Sequence, residues 1–194
     1  ESISGYYTYY LLEKEDKGMR TFEFSLINKE ISNVVKAKIT IYKNAEINNT
    51  VFNGKYFLIS VDDVKNMKTD LYVLDLTGKI VKQNTISYEK RKLTSSTVYP
   101  AANGEGFYVV TPVKEKAKIG FSIEKMNNNL EKIWDIEETS PKGFSNVADL
   151  INNQDRFVIW KEHGLGLKTI KPTIVCYNAK TGEKIFERDG YDGT

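Results

Sequence analysis

The sequence predicts an all-β fold, a propeller-like array of about four antiparallel four-stranded blades. Three observations predict it. Matched strands open at Gly5, Gly54, Gly106 and Asp155, separated by 49, 52 and 49 residues. A period near fifty with several strands inside it belongs to β-propellers and not to helical solenoids. Second, four runs are apolar on both strand faces: Tyr56-Phe57-Leu58-Ile59, Phe107-Tyr108-Val109-Val110, Phe157-Val158-Ile159-Trp160 and Ile174-Val175-Cys176-Tyr177. A strand apolar on both faces needs cover on both sides, which stacked blades supply. Third, the runs that follow Gly/Asn turns, such as IVKQNTI (80–86) and LEKIWDIE (130–137), carry more charge. That suits an outermost, half-exposed strand, where lysine also discourages edge-to-edge pairing.

The elements follow in order. A short polar lead precedes GYYTYYLLE, an aromatic and β-branched strand from Gly5. KEDKGM (14–19) is a polar turn, and RTFEFSLI returns with Phe22, Phe24 and Leu26 at period two. After the NKE turn, ISNVVKAKITIY is a third strand. In the second unit NNTVF leads into GKYFLISVDD, KNMK turns, TDLYVLDL returns, and TGK passes to IVKQNTI. SYEKRK (87–92) is a charged connector, and LTSSTVYPAAN leads into the third unit at Gly106. GFYVVTPV, KIGFSIEKM, NNN and LEKIWDIEE build that unit. Pro141-Lys142-Gly143 breaks the chain, FSNVADLINN leads into DRFVIWKE, and KPTIVCYN, AKTGE and KIFERDG complete the fourth. The chain therefore reads as one repeat domain over residues 1–194, with units near 5–46, 47–92, 93–142 and 143–190. The first unit lacks a clear lead-in strand. The array is either a minimal ring or part of a larger propeller, and a β-sandwich or open barrel of hairpins is the alternative architecture. Tyr6, Tyr7, Tyr9 and Tyr10 are expected to pack between blades. No long helix is expected.

The composition is that of an ordinary globular protein: 194 residues, 40% hydrophobic and 28% charged. With 28 Lys plus Arg against 26 Asp plus Glu, the formal charge is +2. Interspersed charge of this kind argues against nucleic-acid binding, which calls for a basic stripe. No run approaches the ~20 apolar residues of a membrane-spanning helix. The single cysteine, Cys176, sits in the apolar run IVCY and is expected to be a buried residue with no internal disulfide partner. Both a cytoplasmic and an envelope location are compatible with that. The chain opens on Glu1 and has no initiating methionine, so it is read as a mature or trimmed product.

At the turns, the run IVCYNAKTGEKIFE (174–187) resembles the strand-turn-strand of quinoprotein-dehydrogenase-like propellers, and LYVLDLTGKIVKQ (71–83) is a looser version. KMNNNLEKIW (125–134) keeps only the turn and the tryptophan position. The resemblance implies the fold but no bound quinone, because the regular per-blade tryptophan of that family is missing. The opening GYYTYYLLEKEDKGMRTFEFSLIN is similar to a stretch in exported proteins of Gram-negative bacteria. That likeness implies a periplasmic or secreted location and no known activity.

Candidate chemistry is sparse. His163 is the only histidine, in the Gly-flanked KEHGLGLK, and no G-x-S-x-G elbow accompanies it. One histidine and one cysteine cannot build a structural zinc site, which takes about four N/S ligands. Asp62-Asp63 and Glu137-Glu138 are adjacent pairs whose side chains point to opposite faces of a strand, so neither is a dyad by itself. Asp62, Asp63, Glu115 and Glu162 all fall just after the second strand of a unit, so regular stacking would set them on one common face with His163. Asp189-Gly190-Tyr191-Asp192-Gly193 lacks the spacing of an EF-hand loop. GLG (164–166) lacks the lysine and following helix of a phosphate loop. No catalytic, cofactor-binding or metal-binding residues are assigned. The reading is a non-enzymatic binding or scaffold module for a protein or polysaccharide partner. The alternative is a glycan-processing enzyme using the carboxylates Asp62, Asp63 and Glu162 across a pocket.

Overall fold

The computed structural model describes residues 5–28, 30–88, 96–115, 118–140, 143–165 and 170–190. Within them the chain is all-β, in antiparallel sheets that do not close into a barrel. The first sheet is a three-stranded meander of β1 (Gly5–Asp16), β2 (Met19–Asn28) and β3 (Val34–Tyr42). The second has four strands: β4 (Glu46–Phe52), β5 (Phe57–Asp63), β6 (Lys68–Leu74) and β7 (Ile80–Ser87). The third meander is β8 (Thr97–Pro100), β9 (Phe107–Glu115), β10 (Lys118–Met126) and β11 (Lys132–Thr139). The fourth is β12 (Phe144–Asn152), β13 (Arg156–Gly164), β14 (Lys171–Asn178) and β15 (Lys184–Asp189). A single parallel bridge, Ile119 to Phe144, joins the third meander to the fourth. The one helical turn among the described residues is a 3-10 turn at Ala102–Gly104.

Three phenylalanines hold matching places in the strand register. Phe57 opposes Phe52 on the lead-in strand and Leu74 on the following strand. Phe107 occupies the same place between Pro100 and Met126, and Phe157 between Asn152 and Tyr177. Because side chains alternate along a strand, the inner strands of the second and third sheets each feed two cores. Phe57 and Ile59 join Phe24, Leu26 and Ile39 in a core between the first and second sheets. Their neighbour Leu58 joins Leu71, Val73, Phe107 and Val109 between the second and third. Tyr108 and Val110 point the other way and pack with Phe157, Ile159 and Tyr177 between the third and fourth. The first sheet, the second sheet, and then the third and fourth, which are the two joined meanders of a single eight-stranded sheet, thus pack in chain order around three cores. That is why the inner strands carry apolar residues on both faces, and all seven residues of β5 are buried. The outer strand β15 is exposed along its length.

Aromatic stacking concentrates in the third core. The Phe157 ring lies 4.8 Å from Tyr177 and 5.3 Å from Trp134, nearly parallel to both. Such pairs contribute about 0.5–1.5 kcal/mol beyond the area they bury. The hydroxyls of Tyr108 and Tyr177 titrate high, Tyr108 pushed up to about 12, because burial disfavours the phenolate.

In the second, third and fourth units, the turns that join the last two strands are built alike. Asp75 Oδ1 accepts from the backbone N–H of Thr77 and Lys79, Asn127 Oδ1 from Asn129 and Glu131, and Asn178 Oδ1 from Lys180 and Thr181. A short polar side chain that bonds its own turn is the chemistry expected there.

The opening tyrosines depart from expectation. Tyr6, Tyr7, Tyr9 and Tyr10 are all 40–47% exposed and do not fill an inter-sheet core. Among the described residues no strand pairs with the far side of β1, so β1 is an edge of the first sheet. Tyr9 leans on Phe22 and Phe24, and Tyr10 donates to Glu23 Oε1 at 2.6 Å. Cys176 is buried, as its apolar run predicts. No helix of the described residues is long and apolar enough to cross a membrane.

Candidate functional site

The stacking gives the molecule two ends. The turns from lead-in strand to second strand, and from third strand to fourth, lie at one end, and the hairpins between second and third strands lie at the other. At the first end a cleft of about 410 Å³ opens where three sheets meet. Each sheet contributes its equivalent turn: Phe52, Asn53 and Gly54 from the second, Pro100, Ala101 and Ala102 from the third, Leu150, Ile151 and Asn152 from the fourth. None of these side chains is ionisable.

Two asparagines hold the turns in place. Asn53 is buried and its Oδ1 accepts from the backbone N–H of Lys55 and Tyr56, at 3.0 and 2.9 Å. Its Nδ2 donates across the sheet boundary to the Gly106 carbonyl and to Asn128 Oδ1. One boundary further on, Asn152 Nδ2 donates to the Pro100 carbonyl while its Oδ1 accepts from Ala102 N–H, both at 2.8 Å. A buried amide with its donors and acceptors filled fixes geometry, because leaving one unpaired costs about 1–3 kcal/mol. The cleft is therefore rigidly framed, with backbone and small or apolar side chains forming its wall.

The residues singled out from sequence lie at the opposite end, where β5, β9 and β13 finish. Asp62 is buried and accepts a short hydrogen bond from Thr69 Oγ1. Thr69 also bonds the Tyr88 hydroxyl, which lies 3.0 Å from Ser96 Oγ, itself 2.8 Å from Thr111 Oγ1. This buried chain of hydroxyls ties the second sheet to the third. Burial raises the Asp62 carboxyl, the Thr69 bond opposes that in part, and Glu46 adds to the rise. Asp63 is fully buried and caps its own hairpin, accepting from Asn66 N–H at 3.1 Å and Asn66 Nδ2 at 2.7 Å. Glu162 is half-buried on β13, opposite Pro172. His163 Nε2 lies 3.1 Å from Thr173 Oγ1 within the fourth sheet. Glu115 closes β9, and its side chain lies outside the described residues, as do residues 191–194 and 166–169 of the two glycine turns. Asp62, Asp63 and His163 each spend their polar atoms on a partner in their own sheet. Among the described residues no three His, Cys, Asp or Glu side chains are placed to hold a metal ion.

Sequence reasoning passed over two buried lysines. Lys161, on β13, reaches Glu187 Oε1 at 2.6 Å and Glu138 Oε1 at 3.0 Å, bridging the third and fourth sheets. Burial alone would lower its ammonium, but the bonds to Glu187 and Glu138 outweigh it and hold the group above the ordinary lysine value. Lys161 and Lys184 in turn hold the Glu187 carboxyl below its ordinary range. Lys125, on β10, donates to the Ala179 carbonyl at 2.9 Å and lies over the Tyr108 ring. Burial pulls its ammonium below the usual value, with Glu105 opposing. Both lysines fasten one sheet to the next. The signal for the cleft turns was an Asn four residues ahead of a strand-opening Phe, at Asn53–Phe57 and again at Asn153–Phe157. Asn153 Oδ1 accepts from Asp155 and Arg156 N–H as Asn53 does from Lys55 and Tyr56.

Comparison with known proteins adds one assignment. A family model matches residues 1–193, and the chain belongs to that family, a family of unknown function (DUF6770). No curated protein matches the chain.

Proposed function

We propose that this family member is a β-propeller-like stack of blades that acts as a non-enzymatic binding module, with the three-turn cleft as its recognition site. The observation that carries the reading is the make-up of that cleft: three equivalent turns, locked by Asn53 and Asn152, converge on a space with no ionisable side chain in its wall. General acid–base or nucleophilic chemistry needs a titratable group or an activated nucleophile within reach of substrate. Recognition needs only a rigid concave surface with a few fixed polar groups. The partner is a protein or a polysaccharide of the cell envelope. An exported location, implied by the likeness of the opening strands, belongs to the same proposal.

Capture from envelope extract tests it. Immobilised wild-type chain is compared with Ala102→Arg, which puts a long side chain into the cleft while keeping the backbone N–H that bonds Asn152. The reading expects an envelope protein or polymer retained by the wild type and lost by the variant, with equal melting temperatures for the two. Capture that survives Ala102→Arg, or glycan hydrolysis by the wild-type chain that is lost in Asp62→Asn or Glu162→Gln, would count against it.

A further inference from the structure

The two terminal faces of the stack differ in kind. On the first sheet the middle of the outer face is polar, with Tyr6, Val34 and Tyr42 exposed toward its ends: Tyr10 and Lys36 both bond Glu23 Oε1, at 2.6 and 2.7 Å, and Thr21 bonds Thr40 at 2.9 Å. A repeat array needs such a polar terminal face where it meets water. The fourth sheet has none. Phe157 and Ile159 point into the third core, so the alternating Val158 and Trp160 point outward. Trp160 is 48% exposed, and Ile151 beside Val158 is 62% exposed. In the second and third sheets the equivalent positions, Leu58 and Tyr108, are buried against the next sheet. Among the described residues, the outer face of the fourth sheet therefore continues the packing pattern without a sheet upon it.

The register sets charge at both edges of this face. One row across the strands runs Asp149 on β12, Trp160 on β13, Ile174 on β14 and Arg188 on β15. A concavity of about 290 Å³ lies along it between Asp149 and Ile174. Turning the row about a two-fold axis parallel to the strands lays a second row over it with Asp149 opposite Arg188 at both edges and the apolar residues between. An axis across the strands would set Asp149 on Asp149 and Arg188 on Arg188. Both axes keep the strands aligned, as face-to-face sheets prefer, so the charges at the edges select the first.

We propose that the outer face of the fourth sheet is a self-association surface, covered by the same face of a second copy of this chain in an isologous dimer. Three observations select a second copy as occupant: continuity with the three sheet–sheet interfaces, the self-complementary row from Asp149 to Arg188, and the polar middle of the first sheet's outer face, which makes that face a poor cover. Two-fold isologous pairing is also the commonest symmetry of soluble oligomers. The cleft plays no part in the argument, so loss of ligand capture and loss of dimer are separate outcomes.

Sedimentation of the full-length chain at micromolar concentration is the test. The expected mass is twice that of the chain. Trp160→Lys should weaken association by about 30-fold or more, the scale of a central aromatic anchor. Asp149→Arg or Arg188→Asp alone should give monomer, and the double exchange should restore the dimer, with circular dichroism unchanged throughout. Three results would overturn the proposal. One is a dimer indifferent to Trp160→Lys. Another is a double exchange that stays monomeric. The third is a monomeric wild type, whether Trp160 is open to acrylamide quenching in a Trp134→Phe background or shielded by further residues of the same chain.

Discussion

Phe107 and Tyr108 are consecutive in the chain and belong to different cores, Phe107 to the one between the second and third sheets and Tyr108 to the one between the third and fourth. The inner strands of the second and third sheets divide their side chains in this way, so the cores are separated by a sheet. Phe57→Ala, Phe107→Ala and Phe157→Ala each empty a different core. Each should cost about 3–5 kcal/mol of unfolding free energy. Because the sites share no partners, any pair should add to within about 0.5 kcal/mol. Urea titration of single and double variants measures this, and strong coupling between Phe57→Ala and Phe157→Ala would contradict separate cores.

Lys161 provides a second test. Removing its ammonium with Lys161→Ala leaves Glu138 and Glu187 facing each other across the boundary of the third and fourth sheets. Their side chains are one-third exposed, so water relieves part of the repulsion, and the loss should be about 2–3 kcal/mol, at or below the lower end for a broken buried pair. Lys161→Met keeps the stem and its packing and should recover part of it. The pH dependence has two windows. The Lys161 value is raised in the fold, so its contribution is complete below the ordinary lysine range and disappears as pH rises through the raised value. The Glu187 value is lowered, so its contribution is present above the ordinary glutamate range and disappears as pH falls through the lowered value.

Asp62 behaves in the opposite sense to a stabilising carboxylate. Burial raises its carboxyl, so between the unfolded and folded values the native chain binds more protons than the unfolded one. Stability should therefore fall as pH rises through that window, starting at the ordinary aspartate value. Asp62→Asn keeps an oxygen for Thr69 and carries no charge to bury. The variant should lose this pH dependence and be at least as stable as wild type at pH 7, as chemical denaturation between pH 4 and 7 would record.

Two glycines separate conformation from space. Gly54 and Gly106 both have positive φ, at +97° and +107°. A Cβ on Gly54 would meet nothing within 4 Å, whereas one on Gly106 would lie 1.9 Å from the Met126 carbonyl oxygen. Gly54→Ala should cost only the backbone strain, about 1–3 kcal/mol. Gly106→Ala must also push β9 away from the turn after β10, and its loss should exceed that of Gly54→Ala in thermal melts.

Much of this fold was legible because stacked sheets write their burial directly into the inner strands. The doubly apolar runs at Tyr56–Ile59 and Phe107–Val110 fell on β5 and β9, and the charged IVKQNTI on exposed β7. The lead-in run FSNVADLINN forms β12. The glycine alignment gave uneven spacings because the turn into β9 is longer: Pro100 pairs with Phe107, whereas Phe52 pairs with Phe57 and Asn152 with Phe157. Aligned on the phenylalanines 57, 107 and 157, the period is constant. The candidate site was harder. Carboxylates drew attention to the hairpin end, yet Asp62 and Asp63 are held by Thr69 and Asn66. The cleft at the other end is walled by uncharged residues, whose one sequence signal is the Asn ahead of a strand-opening Phe, and it forms where three turns far apart in sequence converge.

The most direct measurement is site-specific photo-crosslinking in envelope extract, with a photoreactive residue at Ala102 in the cleft and, separately, at Lys65 in the exposed hairpin of the other end. The account predicts a discrete adduct from position 102 that excess unlabelled chain suppresses, and none from position 65. An adduct from position 65 alone, or the same adduct from both, would contradict it.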